Sequence, residues 1–205
     1  MTGGPPRRVR PAAVADAAAM ATLRARSWRS TYTGLLPDAV IEAVVGSEAD
    51  WAARLAGRIA DPSSPDDFLV IEEPGRVSGI AIWGPSGDAD ATPTTAQVRA
   101  IYLDPDAIGR GLGRELFGAV VSEIARRGFR SATLWVLDTN ARARRFYEVA
   151  GWHVDGATKT DQRPGGVLHE VRYRYALTWS TPPEVNPEGV VLEEGPGDPT
   201  PRAPV

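Results

Sequence analysis

Apolar residues in the first third of the chain recur every three or four positions, with polar residues between them. This spacing places the apolar side chains on one face of a helix and is typical of an amphipathic helix. Pro37 fits the first turn of a helix, and Ser47 can cap another, so helix boundaries are expected near both residues. Three helices are therefore predicted: Val14–Tyr32, Pro37–Val45 and Glu48–Ala60.

After residue 66 the pattern changes to short runs rich in β-branched and aromatic residues, which are typical of strands. The tetrapeptide Glu73-Pro74-Gly75-Arg76 separates the first two runs and indicates a hairpin turn. A short run near the N-terminus ends in proline, which cannot donate a hydrogen bond to a sheet, so an edge strand is predicted there. The predicted strands are Arg7–Pro11, Phe68–Glu72, Val77–Trp83, Ala96–Leu103, Ser131–Leu137, Trp152–Thr160 and His169–Trp179.

Two further helices are predicted between the later strands. In the first, apolar residues recur every four positions from Leu112 to Ile124, and Gly128 can end the helix. Asn140 can cap the second, over Ala141–Ala150. A strand–helix–strand connection makes its two strands parallel. The order of elements therefore predicts an α/β (mixed α+β) fold, with one mixed central sheet flanked by helices in a single domain over residues 7–179.

The composition fits one globular domain and excludes several classes of site. A chain of 205 residues, 42% of them hydrophobic, can bury one sizeable core. The absence of cysteine excludes disulfides, thiol nucleophiles and thiolate metal sites, and two histidines give no basis for a metal cluster. A net charge of -3 gives no case for nucleic acid or a membrane surface as a partner. With no signal-peptide pattern, a cytoplasmic protein is expected.

The two ends of the chain differ from the rest. Residues 1–6 resemble a flexible lead. Residues 180–205 contain five acidic residues, one basic residue and seven of the 18 prolines. A segment of this composition buries little apolar surface, so the acidic tail is predicted to be disordered.

Gly109, Gly111 and Gly113 lie where the strand ending at Leu103 leads into the next helix. The first turn of a helix has unpaired N–H groups and a partial positive charge, so this junction can bind an anion such as phosphate. It is not a Walker loop, because Arg114 follows the last glycine where a lysine is needed. The same arginine breaks the glycine spacing of a dinucleotide-binding loop.

Two motifs in the second half of the chain resemble those of the GNAT superfamily of acyl-CoA-dependent N-acyltransferases. The segment Ile108–Gly113 follows Asp104–Pro105 and is similar to the pyrophosphate loop of that superfamily. The second motif, N-x-x-A-x-x-F-Y-x-x-x-G-[FW], is reproduced by Asn140, Ala143, Phe146, Tyr147, Gly151 and Trp152. Segments within 27–37 and 170–173 also resemble bacterial members, so the resemblance spans the domain.

The resemblance implies acetyl-CoA as co-substrate and no metal. The CoA pyrophosphate would lie on backbone amides from Gly109 to Arg114, and Arg110 and Arg114 could add charged contacts. The thioester would lie beside the strand before the loop, with the N–H of Leu103 facing its carbonyl oxygen. Ile108 departs from the family, which has Gln or Arg there. The implied donor-binding residues are Ile101, Tyr102, Leu103, Ile108, Gly109, Arg110, Gly111, Leu112, Gly113, Arg114, Asn140 and Tyr147.

The resemblance also implies that Tyr147 is the general acid. Collapse of a tetrahedral intermediate expels a thiolate, and a phenol with a pKa near ~10 can protonate it. Asn140 would contact CoA or an ordered water, and it can also cap its helix. Many relatives pair sheets across a two-fold axis, so the resemblance is compatible with a homodimer, which no feature of this sequence demonstrates.

The motifs do not identify the general base. Many relatives use a glutamate in the strand before the glycine loop, and Gln97 occupies that position here. A neutral amide cannot accept the proton, although it can hold a water that relays it. Glu170 is the first choice as a substitute, and the other candidates are His169, Glu72 and Asp38.

The acceptor groove of relatives lies between the first helices and the later hairpin. By position, the candidates to line it are Trp28, Tyr32, Trp83, Gln97 and the loop Lys159–Gly166. Aromatic walls of this kind would suit an apolar or aromatic amine.

Direct transfer of an acetyl group from acetyl-CoA to a primary amine is the leading expectation. The amine would belong to a small molecule, a peptide or a protein, and no covalent enzyme intermediate is expected in a chain without cysteine. One alternative is a catalytically silent acyl-CoA-binding or regulatory module of the same fold, which Gln97 favours and Tyr147 disfavours. Another is a peptide-binding protein that acts through the acidic tail.

Overall fold

The computed structural model describes residues 7–177. The predicted flexible lead at 1–6 and disordered tail at 180–205 lie outside the described residues, as do the last residues of the final predicted strand. The strands are β1 (Arg8–Pro11), β2 (Asp67–Glu73), β3 (Arg76–Pro85), β4 (Thr95–Leu103), β5 (Ser131–Leu137), β6 (His153–Arg163) and β7 (Gly166–Ala176). The helices are α1 (Ala17–Tyr32), α2 (Asp38–Val45), α3 (Glu48–Ala60), α4 (Leu112–Arg126) and α5 (Ala141–Val149).

All the predicted helices and strands are present, with bounds that differ by a few residues. The largest difference is in the last hairpin, where residues predicted as a loop belong to paired strands. Thr160 pairs with His169, and pairing continues to Arg163 and Gly166. Only two residues remain for the turn, and Gly165 closes it with a φ of 89°, a conformation that glycine adopts without strain.

The predicted fold class is confirmed, because the strands form one seven-stranded mixed sheet. Its order is β1-β2-β3-β4-β5-β7-β6. Strands β1 to β4 pair with one another in antiparallel fashion. Strands β4 and β5, which α4 connects, are parallel. Strand β7 lies between β5 and β6 and is antiparallel to both.

Helices cover the sheet on two faces. On the face that we call the α4 face, Leu116 and Val120 share a core with residues of β2 to β5. On the opposite, α1 face, Met20, Leu23 and Leu55 pack against β2 and β3. The apolar stripes predicted from helical spacing are therefore the sides that the helices bury.

A bulge reverses the side-chain alternation of β4. One register shift between β3 and β4 leaves Arg99 as an additional residue on β4. Since successive side chains of a strand point to opposite faces, one extra residue exchanges the faces. Val98 belongs to the α4-face core before the bulge, and Ile101 and Leu103 pack against that core after it, whereas Tyr102 packs on the α1 face.

The sheet opens between β4 and β5. Their parallel pairing runs from Thr95 with Ser131 to Val98 with Leu134, and it includes no later residue of these two fully described strands. Beyond Val98 the two strands are not paired, and their facing edges line a cavity. The opening lies in the middle of the sheet and joins its two faces.

Candidate active site

The opening between β4 and β5 forms a cavity of about 430 Å³. Residues from α1, β4, β5, α5 and β7 meet there, although they are far apart in the sequence. The lining includes Trp28, Tyr32, Leu103, Asn140, Tyr147 and Glu170. The structure thus brings together most of the predicted donor, acceptor and acid–base residues in one space.

The glycine loop forms the entrance to α4, as its spacing predicts. Gly109 and Gly111 have φ angles of 80° and 85°, and no other atom lies within 4 Å of a Cβ built on either residue. These glycines therefore allow the positive φ angles that the loop needs. They also leave open space beside the helix N-terminus, which suits an anion. Ile108 and Gly113 line the cavity, whereas the side chain of Leu112 is fully buried in the core.

Arg110 and Arg114 are placed differently by the structure. The Arg110 guanidinium forms an ion pair with Glu73, and its backbone carbonyl accepts a hydrogen bond from Arg7 at 3.1 Å. An anion contact from the Arg110 side chain would therefore have to compete with a carboxylate. Arg114 lies in the first turn of α4.

The last three residues of β4 line the cavity. Ile101 and Leu103 turn towards the α4 face and Tyr102 towards the α1 face, and all three are partly buried. Leu103 also lies beside the glycine loop, since a Cβ on Gly113 would be 3.0 Å from its Cδ1. A glycine at 113 therefore lets α4 approach this strand.

Tyr147 lines the cavity and is 8% exposed. Its ring is in contact with Phe117, Phe146 and Tyr173, at centroid distances of 5.5, 5.4 and 5.9 Å. Burial, with a smaller effect of Tyr102, raises the pKa of the Tyr147 hydroxyl above its ordinary value. The phenol is thus held in the protonated form that a proton donor needs.

Asn140 begins α5 and also faces the cavity. Its side-chain oxygen accepts a hydrogen bond from the Ala143 N–H at 3.1 Å, so the predicted N-cap is confirmed. The side chain is nearly buried and lines the cavity next to Tyr147.

Trp28 and Tyr32 form the α1 wall of the cavity, with ring centroids 4.3 Å apart. Burial raises the pKa of Tyr32, and the nearby Tyr102, Tyr147 and Glu170 raise it further. The indole Nε1 of Trp28 is buried without a hydrogen-bond partner.

Trp83, which its position in the sequence places in the predicted acceptor groove, does not line this cavity. Its side chain is 1% exposed and belongs to the α4-face core, where the ring meets Phe129 edge-on at 6.0 Å. Strand β3 is central and covered on both faces, so a tryptophan there becomes core. A different tryptophan, Trp135 of β5, lies in the cavity wall, and no sequence motif had indicated it.

Glu170 is the one predicted base candidate in the described chain that lines the cavity between β4 and β5. Its carboxylate lies 3.3 Å from the Lys159 ammonium on the neighbouring strand. Glu72 is held by Arg8 and Arg10 at the outer edge of the sheet.

The other candidates lie elsewhere. Gln97 accepts a hydrogen bond from Arg99 and donates one to Asp88, and its side chain does not line the cavity. His169 lines a second depression on β6 and β7, which Lys159 and Glu170 also line, and Asp38 is exposed in the first turn of α2.

A buried ionic network, also not predicted, supports the cavity wall at β5 and β7. Arg172 is 7% exposed and contacts Asp88, Asp90 and Asp155 at 3.3, 2.6 and 2.8 Å. Asp88 in turn accepts a hydrogen bond from the indole Nε1 of Trp135 at 3.0 Å. The loop between β3 and β4 is thereby fixed to the far strands of the sheet.

The three carboxylates of this network have pKa values below the ordinary range. Burial raises the pKa of Asp88, but hydrogen bonds from Trp135, Thr133 and Ser86 and the charge of Arg172 outweigh it. Hydrogen bonding to Arg172 lowers the pKa of Asp90. Burial raises that of Asp155, and a hydrogen bond from a backbone N–H and the arginines lower it by more.

We expect Arg172→Met to lower the free energy of unfolding by about 2 kcal/mol. This loss is smaller than for a fully buried ion pair, because Asp90 in the network is exposed to solvent. The three carboxylates have depressed pKa values when folded, so their stabilisation is present above an unfolded pKa of ~3.9 and is lost as pH falls below it. Urea unfolding from neutral to acidic pH measures both effects. Arg172→Met should flatten the acid dependence.

Arg174→Met is the matched control, because Arg174 contacts Asp90 and Asp155 but is more exposed. It should cost clearly less than Arg172→Met. Equal losses from both variants, or an unchanged acid dependence in Arg172→Met, would contradict the network.

Within residues 7–177, no three His, Asp or Glu side chains come together as a candidate metal site. In the same range, no helix is both long and apolar enough to cross a membrane.

Sequence comparison identifies the family. Residues 22–152 match the model of the acetyltransferase (GNAT) family. A protein of Mycobacterium tuberculosis named as a probable N-acetyltransferase is 28% identical over 181 residues, which cover 86% of this chain and 96% of that protein. The mycothiol acetyltransferase of Acidimicrobium ferrooxidans is 32% identical over 110 residues, 53% of this chain but 35% of that protein.

Solved structures give the same fold. The PaiA N-acetyltransferase of Thermoplasma acidophilum, in complex with coenzyme A, has a TM-score of 0.69 at 17% identity and covers 84% of this chain and 100% of that one. The protein yncA of Salmonella typhimurium, with acetyl-CoA, has a TM-score of 0.66 at 22% identity and covers 89% of this chain and 100% of that one. With the family match over residues 22–152, these findings establish that the chain belongs to the GNAT family of acetyltransferases.

Proposed function

We propose that this protein transfers an acetyl group from acetyl-CoA to a primary amine by direct attack, through a tetrahedral intermediate, with Tyr147 as general acid and Glu170 as general base. The observation that carries the proposal is the opening between β4 and β5. It joins a wall that contains Asn140, Tyr147 and the two ends of the glycine loop, Ile108 and Gly113, to a wall that contains Trp28, Tyr32 and Glu170.

The donor fits one half of this opening. Strand β4 beyond Val98 has no partner on the β5 side, so its backbone can accept the pantetheine amides as an added strand would. The pyrophosphate then lies on the open glycine loop at the start of α4. The thioester carbonyl comes to the N–H of Leu103, which would stabilise the oxyanion that forms on attack.

The chemistry of the thiolate supports the role of Tyr147. When the tetrahedral intermediate collapses, the C–S bond breaks and the electron pair stays on sulfur. A protonated phenol in the cavity can give its proton to that thiolate, and burial keeps Tyr147 protonated.

Glu170 is proposed to take a proton from the acceptor. An alkyl ammonium has a pKa near ~10 and cannot attack until it is deprotonated. Glu170 has the required type of side chain, on the acceptor wall of the cavity and close to Tyr32. In this scheme Glu170 takes the proton that nitrogen loses, and Tyr147, on the opposite wall, gives the proton that sulfur gains.

Thiol release from acetyl-CoA tests this function. The panel should contain alkyl amines, polyamines, aminoglycosides and peptide N-termini, and the match to mycothiol acetyltransferases adds amines related to mycothiol. We expect release that depends on at least one amine, with CoA binding measured separately by calorimetry. Tight CoA binding without release across the panel would instead support a silent acyl-CoA-binding module.

The acidic tail is tested in the same assay. A chain ending at residue 179 should retain both CoA binding and acetyl transfer if residues 7–179 contain the whole site. Loss of every activity on deletion would favour the tail-dependent alternative.

A further inference from the structure

One side chain of the acceptor wall is itself a primary ammonium. The Nζ of Lys159 lies 4.5 Å from the centroid of the Trp135 ring and 3.3 Å from the Glu170 carboxylate. All three residues line the cavity. An aromatic face combined with a carboxylate is a strong arrangement for binding a cation, because the ring and the carboxylate both attract positive charge.

The indole surface is held in place by groups outside the cavity. The Nε1 of Trp135 donates to Asp88 at 3.0 Å, and the guanidinium carbon of Arg172 lies 5.5 Å from the ring centroid. Asp88 and Arg172 are themselves joined in the ionic network. The ring is therefore oriented before any ligand binds, which reduces the cost of binding.

Lys159 is the movable member of the group. It lies on β6, the outermost strand of the sheet, and its side chain is 44% exposed. Its alkyl chain has many rotamers, and an exposed ion pair of this kind contributes little to stability. The ammonium can leave the cavity without disturbing the fold.

We infer that Trp135 and Glu170 form the binding site for the ammonium of the acceptor, and that Lys159 occupies this site until an acceptor replaces it. The inference rests on the proposed function for the identity of the cation as the acceptor. It narrows the acceptor to aliphatic primary amines that are protonated at neutral pH. Aromatic amines, which are neutral there, gain nothing from the carboxylate.

The first test measures binding without turnover. CoA-loaded protein is titrated with n-butylammonium chloride by calorimetry. Lys159→Met removes the internal competitor and should tighten binding several-fold, whereas Lys159→Arg retains a cation and should remain within about twofold of the parent. Arg126→Met, an exposed residue paired with Glu123 on α4, controls for the change in net charge and should have no effect.

The second test removes the aromatic face. Trp135→Leu should weaken butylammonium binding by roughly 2- to 30-fold, the range given by a cation–π energy of about 0.5 to 2 kcal/mol. If this variant unfolds, Trp135→Phe replaces it, because phenylalanine attracts a cation less strongly than tryptophan does. The Lys159 variants, which change an exposed side chain, test the same site independently. In turnover, a binding role raises KM for the amine and leaves kcat nearly unchanged.

Three results would overturn the inference. They are an unchanged butylammonium affinity in Lys159→Met, equal use of benzylamine and aniline, and acetylation of Lys159 itself in mass spectrometry, which would make it a substrate. Failure of the proposed function looks different, because the parent protein would then bind butylammonium but release no thiol with any amine.

Discussion

Replacement of Tyr147 with phenylalanine should lower kcat by on the order of 100-fold, the lower end of the range for general acid catalysis. The change removes one oxygen from the cavity and leaves the packing of the ring on Phe117 and Phe146 intact. The affinity for CoA, measured by calorimetry, should therefore remain within about twofold, because the lost proton acts only when the thiolate leaves.

Tyr175→Phe is the matched control. This tyrosine stacks on Trp152 at 5.5 Å and does not line the cavity, so turnover should be unchanged. If Tyr147→Phe also turns over at the parent rate, Tyr147 has no part in the mechanism, and another group or water protonates the thiolate.

Replacement of Glu170 with glutamine should lower kcat/KM for an aliphatic amine by on the order of 100-fold at neutral pH. The loss should shrink as pH rises towards the pKa of the amine, near ~10, since more of the acceptor is then deprotonated without help. A pH profile of kcat/KM from neutral to alkaline pH measures this convergence. A binding role alone would raise KM and leave kcat unchanged.

Glu72→Gln provides the comparison for this experiment. It removes the same charge from a carboxylate held by Arg8 and Arg10 at the outer edge of the sheet. Acetyl transfer should not depend on it. A constant 100-fold defect of Glu170→Gln at every pH would argue against proton abstraction and for a structural effect of that side chain.

The helices, the strands, the glycine loop and the Asn140 cap could be predicted because their signals are local. Helical spacing predicts the buried side of α4, and the strand–helix–strand order predicts the parallel pair β4 and β5. The glycine loop depends on backbone conformation within a few residues, and Gly109 and Gly111 adopt the positive φ angles that only glycine tolerates well. Asn140 caps α5 through a contact three residues away.

The side of the cavity that β5 and β7 form could not be predicted in the same way, because it depends on contacts between distant strands. Trp83 and Trp135 both lie in apolar strands, and only the register and the covering helices decide that the first is core and the second faces the cavity. The network of Arg172 and Asp90 joins residues 82 positions apart, which no local pattern records. Resemblance points to the position of Gln97 for the general base, whereas Glu170, the substitute candidate, lines the cavity from β7.

The separation of β4 from β5 also has a consequence for self-association. An open sheet normally has two edges, and each exposes unpaired N–H and C=O groups that can recruit a strand from another molecule. Here the outer strands carry common protective features: β1 ends in Pro11, and β6 carries the charges of Lys159, Asp161 and Arg163. The gap creates two further strand edges inside the sheet, which residues of α1, α2 and α5 surround. Partial unfolding that releases these helices would therefore expose two unpaired strand edges to pairing with a strand of another molecule.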